Sequence, residues 1–244
     1  MDLSVVALFM LVLVGHGARL VDPCPEDRCG NVAIRFPFRL KDNKPPDHCS
    51  YPGFELSCKD KKQALLQLPN SVKLYVDKID YASQLIIARD PDECLPKQLR
   101  NFSLSGSPFK SGYMGLGDYS FFNCTSSKGY RYNYRYLDCL GGPGYIYAFT
   151  SDNSISYTDL TNCTKLYNLS SVPSEIFEMK NILYLNWSMP GCQQCEQQRK
   201  FCKLKKNSRA TLETECYDKP KLKKGMVLVT SFSVHFETIG SFVS

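Results

Sequence analysis

Apolar and polar positions alternate in short runs along this chain, and clusters of turn residues separate the runs. Val72, Leu74 and Val76 alternate with polar neighbours, and Ile79 with Tyr81 repeats the pattern. Residues 84–89 (QLIIAR) form a β-rich run closed by Asp90-Pro91. A period of two marks a half-buried strand, because successive side chains leave opposite faces of the pleat. Pro45-Pro46, Pro52-Gly53, Gly141-Gly142-Pro143-Gly144 and Pro190-Gly191 read as turns. Helical periodicity is scarce. Residues 174–185 are the best helix candidate, but Pro173 and the run Ile182-Leu183-Tyr184-Leu185 also suit a strand. The pattern predicts a mainly β protein built of small β modules with few or short helices.

Composition adds an address to that pattern. The chain has 244 residues, a formal net charge of +6, 43% hydrophobic and 22% charged residues. These values exclude a disordered or collagen-like protein. Residues 3–14 are an apolar run, interrupted only by Ser4 and followed by Gly15, Gly17 and Ala18. The run has the length of a signal-peptide core, whereas a membrane span needs about 20 residues. The expectation is a signal peptide over residues 1–18, with a retained signal anchor as the alternative.

All twelve cysteines (Cys24, Cys29, Cys49, Cys58, Cys94, Cys124, Cys139, Cys163, Cys192, Cys195, Cys202 and Cys216) follow that segment. An even number in an oxidising compartment implies a disulfide framework. Its connectivity stays open, since twelve cysteines allow on the order of ten thousand pairings. Five sequons, at Asn101, Asn123, Asn162, Asn168 and Asn186, point to the same compartment as candidate glycosylation sites. Two of them, Asn123-Cys124-Thr125 and Asn162-Cys163-Thr164, hold a cysteine between Asn and Thr.

Other chemistries fit poorly. Cys192, Cys195, Cys202 and Cys216 have a spacing that could be drawn as a zinc site, but zinc needs reduced thiols. Only His48 and His235 remain after signal removal, and neither sits in a nucleophile motif. Asp90, Asp92 and Glu93 offer carboxylates of the kind glycosidases pair, yet acids beside a proline more often build a turn. Gly115-x-Gly117 lacks the strand–helix setting of a phosphate loop. Basic residues are mixed with acids, so nucleic acid is a poor partner. The expectation is a non-catalytic chain with no metal and no cofactor.

Several cysteine-anchored motifs now stand in order. Cys24-x4-Cys29-Gly30, Ile34-x-Phe36-Pro37-Phe38 and Cys49-x2-Pro52-Gly53-Phe54-x-Leu56-x-Cys58 resemble the plant wall-associated-kinase galacturonan-binding domain. Ile79-Asp80-Tyr81, Asp90-Pro91-x2-Cys94-Leu95-Pro96, Leu104-Ser105-x-Ser107-Pro108-Phe109 and Tyr119-x-Phe121-Phe122-Asn123-Cys124 resemble the ectodomains of ATL-type RING-H2 finger proteins. Leu185-x-Trp187-x2-Pro190-x-Cys192-x2-Cys195-Glu196, with Cys202 and Cys216 behind it, resembles the cysteine-rich end of the same ectodomains. The family usually has Gly-rich sequence between its last cysteines, where this chain has Arg199-Lys200 and Lys203.

The resemblance implies a galacturonan-binding-like β domain at 24–118, a second cysteine-rich module at 119–216, and a basic tail with a short apolar segment at 217–244. Such ectodomains normally continue into a membrane helix and, in this branch, a cytosolic ubiquitin-ligase RING. Residues 226–244 are the only candidate span. They hold His235, Glu237 and four serines, and each central charge costs about 2.5–3.5 kcal/mol on insertion scales. Phe232, Val234 and Phe236 alternate with polar residues there, which suits a strand. Two readings stay open: a secreted, cell-wall ectodomain without the enzyme, or a truncated piece of a membrane-anchored ligase.

The partner that the resemblance implies is pectin, an acidic wall polysaccharide, and a net charge of +6 attracts a polyanion. An extracellular protein partner is the alternative. Eight Lys/Arg against three Asp/Glu between Lys203 and Lys224 offer counter-charges, or simply a solvated face. The sharper candidate is Tyr130-Arg131-Tyr132-Asn133-Tyr134-Arg135-Tyr136. On a strand its tyrosines share one face, and Arg131 and Arg135 share the other with Asn133 between them. An arginine face can grip uronate carboxylates bidentately; a tyrosine face can stack on sugar rings. The plain alternative is an edge strand with a Tyr-rich packing face. Arg131, Arg135, Tyr132 and Tyr134 are the candidate ligand residues.

Overall fold

A computed structural model describes residues 24–112, 115–128, 134–151, 159–178, 181–206 and 212–219. The signal segment, the alternation at Phe232–Phe236 with His235, and Tyr130, Arg131, Tyr132 and Asn133 lie outside the described residues.

The first hairpin pairs β1 (Asp27–Cys29) with β2 (Val32–Ile34). There follow β3 (Arg39–Leu40), β4 (Glu55–Lys59), β5 (Gln63–Gln67), β6 (Lys73–Asp80) and β7 (Leu85–Arg89). A short helix α1 (Leu95–Gln98) precedes β8 (Phe109–Ser111), β9 (Leu116–Cys124), β10 (Tyr134–Tyr136), β11 (Tyr145–Thr150) and β12 (Cys163–Pro173). Helix α2 (Glu175–Glu178) leads to β13 (Ile182–Trp187), and α3 (Gln193–Gln197) to a last hairpin of β14 (Phe201–Leu204) and β15 (Thr214–Tyr217). The chain is mainly β, as the alternation predicts. Residues 174–185 divide between the two readings, giving one helical turn and then a strand.

Two sheets carry the core. The larger has the order β3-β4-β5-β6-β7-β13-β8, antiparallel except for β3 with β4. The smaller has the order β10-β11-β9-β12. Strand β13 comes from the second half of the chain and lies between β7 and β8, while residues 118 and 119 fall inside β9.

Alternation explains which side each strand buries. Leu74, Val76, Ile86, Ala88, Leu183 and Leu185 are fully buried on one face of the larger sheet. Burying such a side chain contributes about 1.5–3 kcal/mol. A register shift between Val76 and Lys78 breaks the period in β6 and brings the odd-numbered Ile79, opposite Ile86, onto the core face that Val76 also faces. There Ile79 packs half-buried against the core that includes Tyr81. Phe38, Phe54, Phe109 and Trp187 interlock edge to face at the centre, with Phe38 5.2 Å from Trp187 and Phe54 5.2 Å from Phe109. The smaller sheet turns Tyr119, Phe121 and Ala148 toward this core and keeps a second aromatic cluster of Phe122, Tyr134, Tyr147 and Phe149 on its other face.

Six disulfides close the framework: Cys24–Cys49, Cys29–Cys58, Cys94–Cys139, Cys124–Cys163, Cys192–Cys202 and Cys195–Cys216. Each contributes typically about 2–4 kcal/mol, mainly by restricting the unfolded chain. The Cys192, Cys195, Cys202 and Cys216 sulfurs bond one another, which removes the thiolates a zinc site there would need.

Candidate functional site

Strand β10 is the free edge of the smaller sheet and pairs only with β11 among the described residues, setting Tyr134 opposite Phe149, Arg135 opposite Ala148 and Tyr136 opposite Tyr147. Directly opposed residues share a face, so Tyr134 and Tyr136 lie on the outer aromatic face and Arg135 on the face of Ala148, at the sheet's rim. The two tyrosines differ in exposure. Tyr134 is buried, with its ring 4.9 Å from Phe149 and 5.2 Å from Tyr147, and its hydroxyl donates to the Lys128 carbonyl. Tyr136 is 51% exposed.

Tyr136 is joined by Tyr145, 39% exposed, at a centroid distance of 5.8 Å. Tyr147 lies 5.5 Å from Tyr136, and its hydroxyl accepts from the Lys128 backbone N–H at 2.9 Å. The adjacent strands β10 and β11 therefore carry a step of two exposed rings resting on a buried aromatic base. An exposed tyrosine pair of this spacing offers a stacking surface to a flat or ring-shaped ligand.

Beside the rings runs a groove of about 990 Å³ whose walls include Arg135, Arg89, Lys128, Asp77 and Glu93. Arg135 is half-buried and donates to the Tyr134 carbonyl at 3.2 Å. Arg89 is held at 3.0 Å by Asp77, and Lys128 stands 3.6 Å from Asp159. The groove thus mixes cations with carboxylates. Tyr145 was not among the sequence candidates; the alternation Tyr145-Ile146-Tyr147-Ala148-Phe149 behind the Gly-rich turn is the signal that marks it.

A second cleft, of about 1130 Å³, separates Arg39, Tyr51 and Glu55 from Lys205, Lys206 and Leu212 on the last hairpin. Its basic groups are partly committed. Arg39 stands 3.3 Å from Glu55, and Lys205 is 2.7 Å from Glu213. The Glu213 hydrogen bond raises the Lys205 pKa, and the reciprocal bond lowers that of Glu213. Lys203 is buried, lies 3.4 Å from Glu215 and sits over the Tyr217 ring. The described lysines of the basic run therefore include two that fasten the β14–β15 hairpin.

The acids singled out beside Pro91 build a turn. Asp90 accepts from the Cys94 and Asp92 backbone N–H groups at 2.8 and 3.2 Å and from the Gln98 side chain. Glu93 is exposed in a left-handed backbone conformation, φ +56°. Gly115 and Gly117 run directly into strand β9, away from any helix start. His48 lies beside Cys24 and Cys49, whose sulfurs are bonded to each other. Among the described residues no helix is long and apolar enough to cross a membrane.

Comparison with known proteins agrees with the motifs. Residues 24–90 match the wall-associated receptor kinase galacturonan-binding family. The chain is 31% identical over 222 residues to the RING-H2 finger protein ATL21A and 29% identical over 227 residues to ATL22, both of Arabidopsis thaliana. Those alignments take in 86% and 88% of this chain. A receptor-like protein kinase of the LEAF RUST 10 group from the same plant is 22% identical over 209 residues, 77% of this chain and 32% of its own length. The chain spans 57% and 58% of the two RING-H2 relatives' own lengths. No solved structure matches it significantly. Residues 24–90 are thus similar to the wall-associated receptor kinase galacturonan-binding family, and over most of its length the chain is similar to ATL-type RING-H2 finger proteins.

Proposed function

We propose that this protein is an extracellular, non-catalytic module that binds pectin, the galacturonan of the plant cell wall. The observation that carries the reading is the galacturonan-binding match at residues 24–90, a stretch whose four cysteines pair among themselves. Six disulfides support the extracellular address, since such bridges persist in oxidising compartments.

The Tyr–Arg strand is the proposed contact for the polymer, with Arg131 and Arg135 meeting carboxylates and Tyr132 and Tyr134 belonging to the aromatic side. Tyr134 is buried, so the rings available for stacking on the described part of that surface are Tyr136 and Tyr145. The test is a double replacement, Arg131→Ala with Arg135→Ala, beside Tyr136→Ala, in folded protein. Oligogalacturonide affinity should fall about tenfold in each, the equivalent of about 1.4 kcal/mol. Unchanged affinity in both variants removes the strand from the site.

A second reading rests on the relatives' length. The RING-H2 relatives extend well beyond the part this chain spans, so the module is also read as the ectodomain of a membrane-anchored RING-H2 ubiquitin ligase. Sequencing the 3′ end of the transcript decides it: an open frame running into an apolar span and a Cys/His series supports the ligase.

A further inference from the structure

The two edges of the smaller sheet differ. Strand β10 borders the groove, whereas β12 forms the opposite edge and is longer, eleven residues from Cys163 to Pro173. Among the described residues no strand covers the outer side of β12. Thr164, Lys165, Leu166, Asn168, Ser170 and Ser171 are exposed, with Leu166 at 44%. An open edge of this length is a template for pairing with a second chain. Two register irregularities bend it, but Lys165 is its only charge.

Three of the five sequons surround this edge. Asn162 sits immediately before β12, exposed and in a left-handed conformation, φ +64°. Asn168 lies on the strand and is exposed; its Oδ1 accepts from Ser120 Oγ at 3.0 Å, which leaves Nδ2, the glycan-bearing atom, out of that bond. Asn101 is exposed beside Arg100, whose guanidinium lies 5.0 Å from the centre of the Tyr167 ring on β12. From Asn162 to Asn168 the extended chain covers about 20 Å at roughly 3.3 Å per residue.

Asn123 has the same sequon chemistry in the opposite setting. It stands inside the sheet, opposed by Ile146 on one side and Thr164 on the other. Its Oδ1 is buried and packs where a Cβ on Gly144 would come within 2.1 Å. The next residue, Cys124, is fully buried and bonded to Cys163. Asn123 is half-buried in the middle of the sheet, a far more crowded setting for a sugar than the exposed Asn162 and Asn168.

We propose that N-linked glycans on Asn162 and Asn168, with Asn101 beside them, cover the β12 edge and keep the protein monomeric, while Asn123 stays unmodified. The open flank is then the β10 side. This inference rests on the extracellular reading above but not on pectin as the ligand.

The test uses the full chain expressed with its own N-terminus in plant cells. Glycans are released enzymatically in heavy-oxygen water and the peptides weighed. Labelled aspartate at positions 101, 162 and 168, with unlabelled Asn123, is expected. Label at Asn123, or none at Asn162 and Asn168, overturns the assignment, and a chain retained unglycosylated in the cytosol overturns the extracellular reading with it. The shielding role is read by light scattering on Thr164→Ala/Ser170→Ala, which lacks both β12 sequons. A second sample is folded wild-type protein stripped of glycan without denaturation. The average mass should at least double in both at raised concentration. If both stay monomeric, the edge needs no cover and the role is wrong.

Discussion

Arg35 and Glu196, 161 positions apart, form a two-armed ion pair between the region that matches the galacturonan-binding family and the last cysteine cluster: Nη2 donates to Oε2 at 2.9 Å and Nη1 to Oε1. The guanidinium lies over the Tyr81 ring at 3.7 Å and the Phe201 ring at 4.3 Å, so both of its faces are covered. The side chains are 12% and 6% exposed. Removing Arg35 leaves the Glu196 carboxylate desolvated without that partner, and removing Glu196 leaves Arg35 with the more distant Glu26 carboxylate at 3.9 Å. Arg35→Ala or Glu196→Ala should cost about 3–5 kcal/mol, while Arg35→Met with Glu196→Leu should cost clearly less than the sum. Urea unfolding of the three variants measures this, and additive losses would contradict it.

Gln84 makes the second tie between the same regions. It is 2% exposed. Its Nε2 donates to the Trp187 and Pro190 carbonyls at 2.8 and 3.3 Å, and its Oε1 accepts from the Cys192 and Gln193 N–H groups at 3.0 and 3.2 Å. Gln84→Leu keeps the volume and strands those four groups. A loss of about 3 kcal/mol is expected, since each buried unsatisfied group costs roughly 1–3 kcal/mol and some of the four will find water. Amide hydrogen exchange at Cys192 and Gln193 should quicken in step; unchanged protection there would show that the tie is dispensable.

Gly30 explains why the motif reads Cys29-Gly30. Its φ is +57°, and a Cβ would stand 2.0 Å from the Lys62 carbonyl oxygen. Gly30→Ala should destabilise by about 2–4 kcal/mol, from left-handed strain plus backbone displacement. Gly106→Ala is the control: φ is +77° but nothing lies within 4 Å of the Cβ, so only the strain of about 1–2 kcal/mol remains. Equal losses in thermal unfolding would refute the role given to the Lys62 contact.

Burial raises the pKa of Tyr81, Tyr167 and Tyr217. Tyr81 is the most enclosed; its hydroxyl accepts from the Arg35 N–H and donates to the Ala33 carbonyl, both at 3.0 Å. A phenol whose folded pKa exceeds its unfolded one binds its proton more tightly when folded. Its stabilising share is therefore complete below about pH 10, the unfolded value, and is lost as pH climbs from there toward the folded value. Stability should fall above about pH 10, and the last tyrosinate absorbance should appear together with unfolding. Full ionisation of every tyrosine in still-folded protein would contradict this.

The alternation at Leu74, Val76, Ile86 and Ala88 was legible because a strand with one buried face writes its period into the sequence. The bulge in β6 was not: it brings Ile79, opposite Ile86, onto the core face through backbone geometry that composition does not encode. The pairing of six bridges, the Arg35–Glu196 contact and the four bonds of Gln84 join residues far apart in the chain and have no local signature. Tyr134 and Tyr136 show the limit at the candidate site. Period two correctly placed them on one face, but burial of one and exposure of the other depends on what packs above them.

The central claim is tested most directly by titrating the oxidised, folded protein with oligogalacturonides and with neutral glucans of equal length, at low and high salt. The account predicts binding to the acidic oligomers alone, weakened by salt as charge screening requires. Equal binding to both sugars, or none to either from a sample with all six bridges closed, would contradict it.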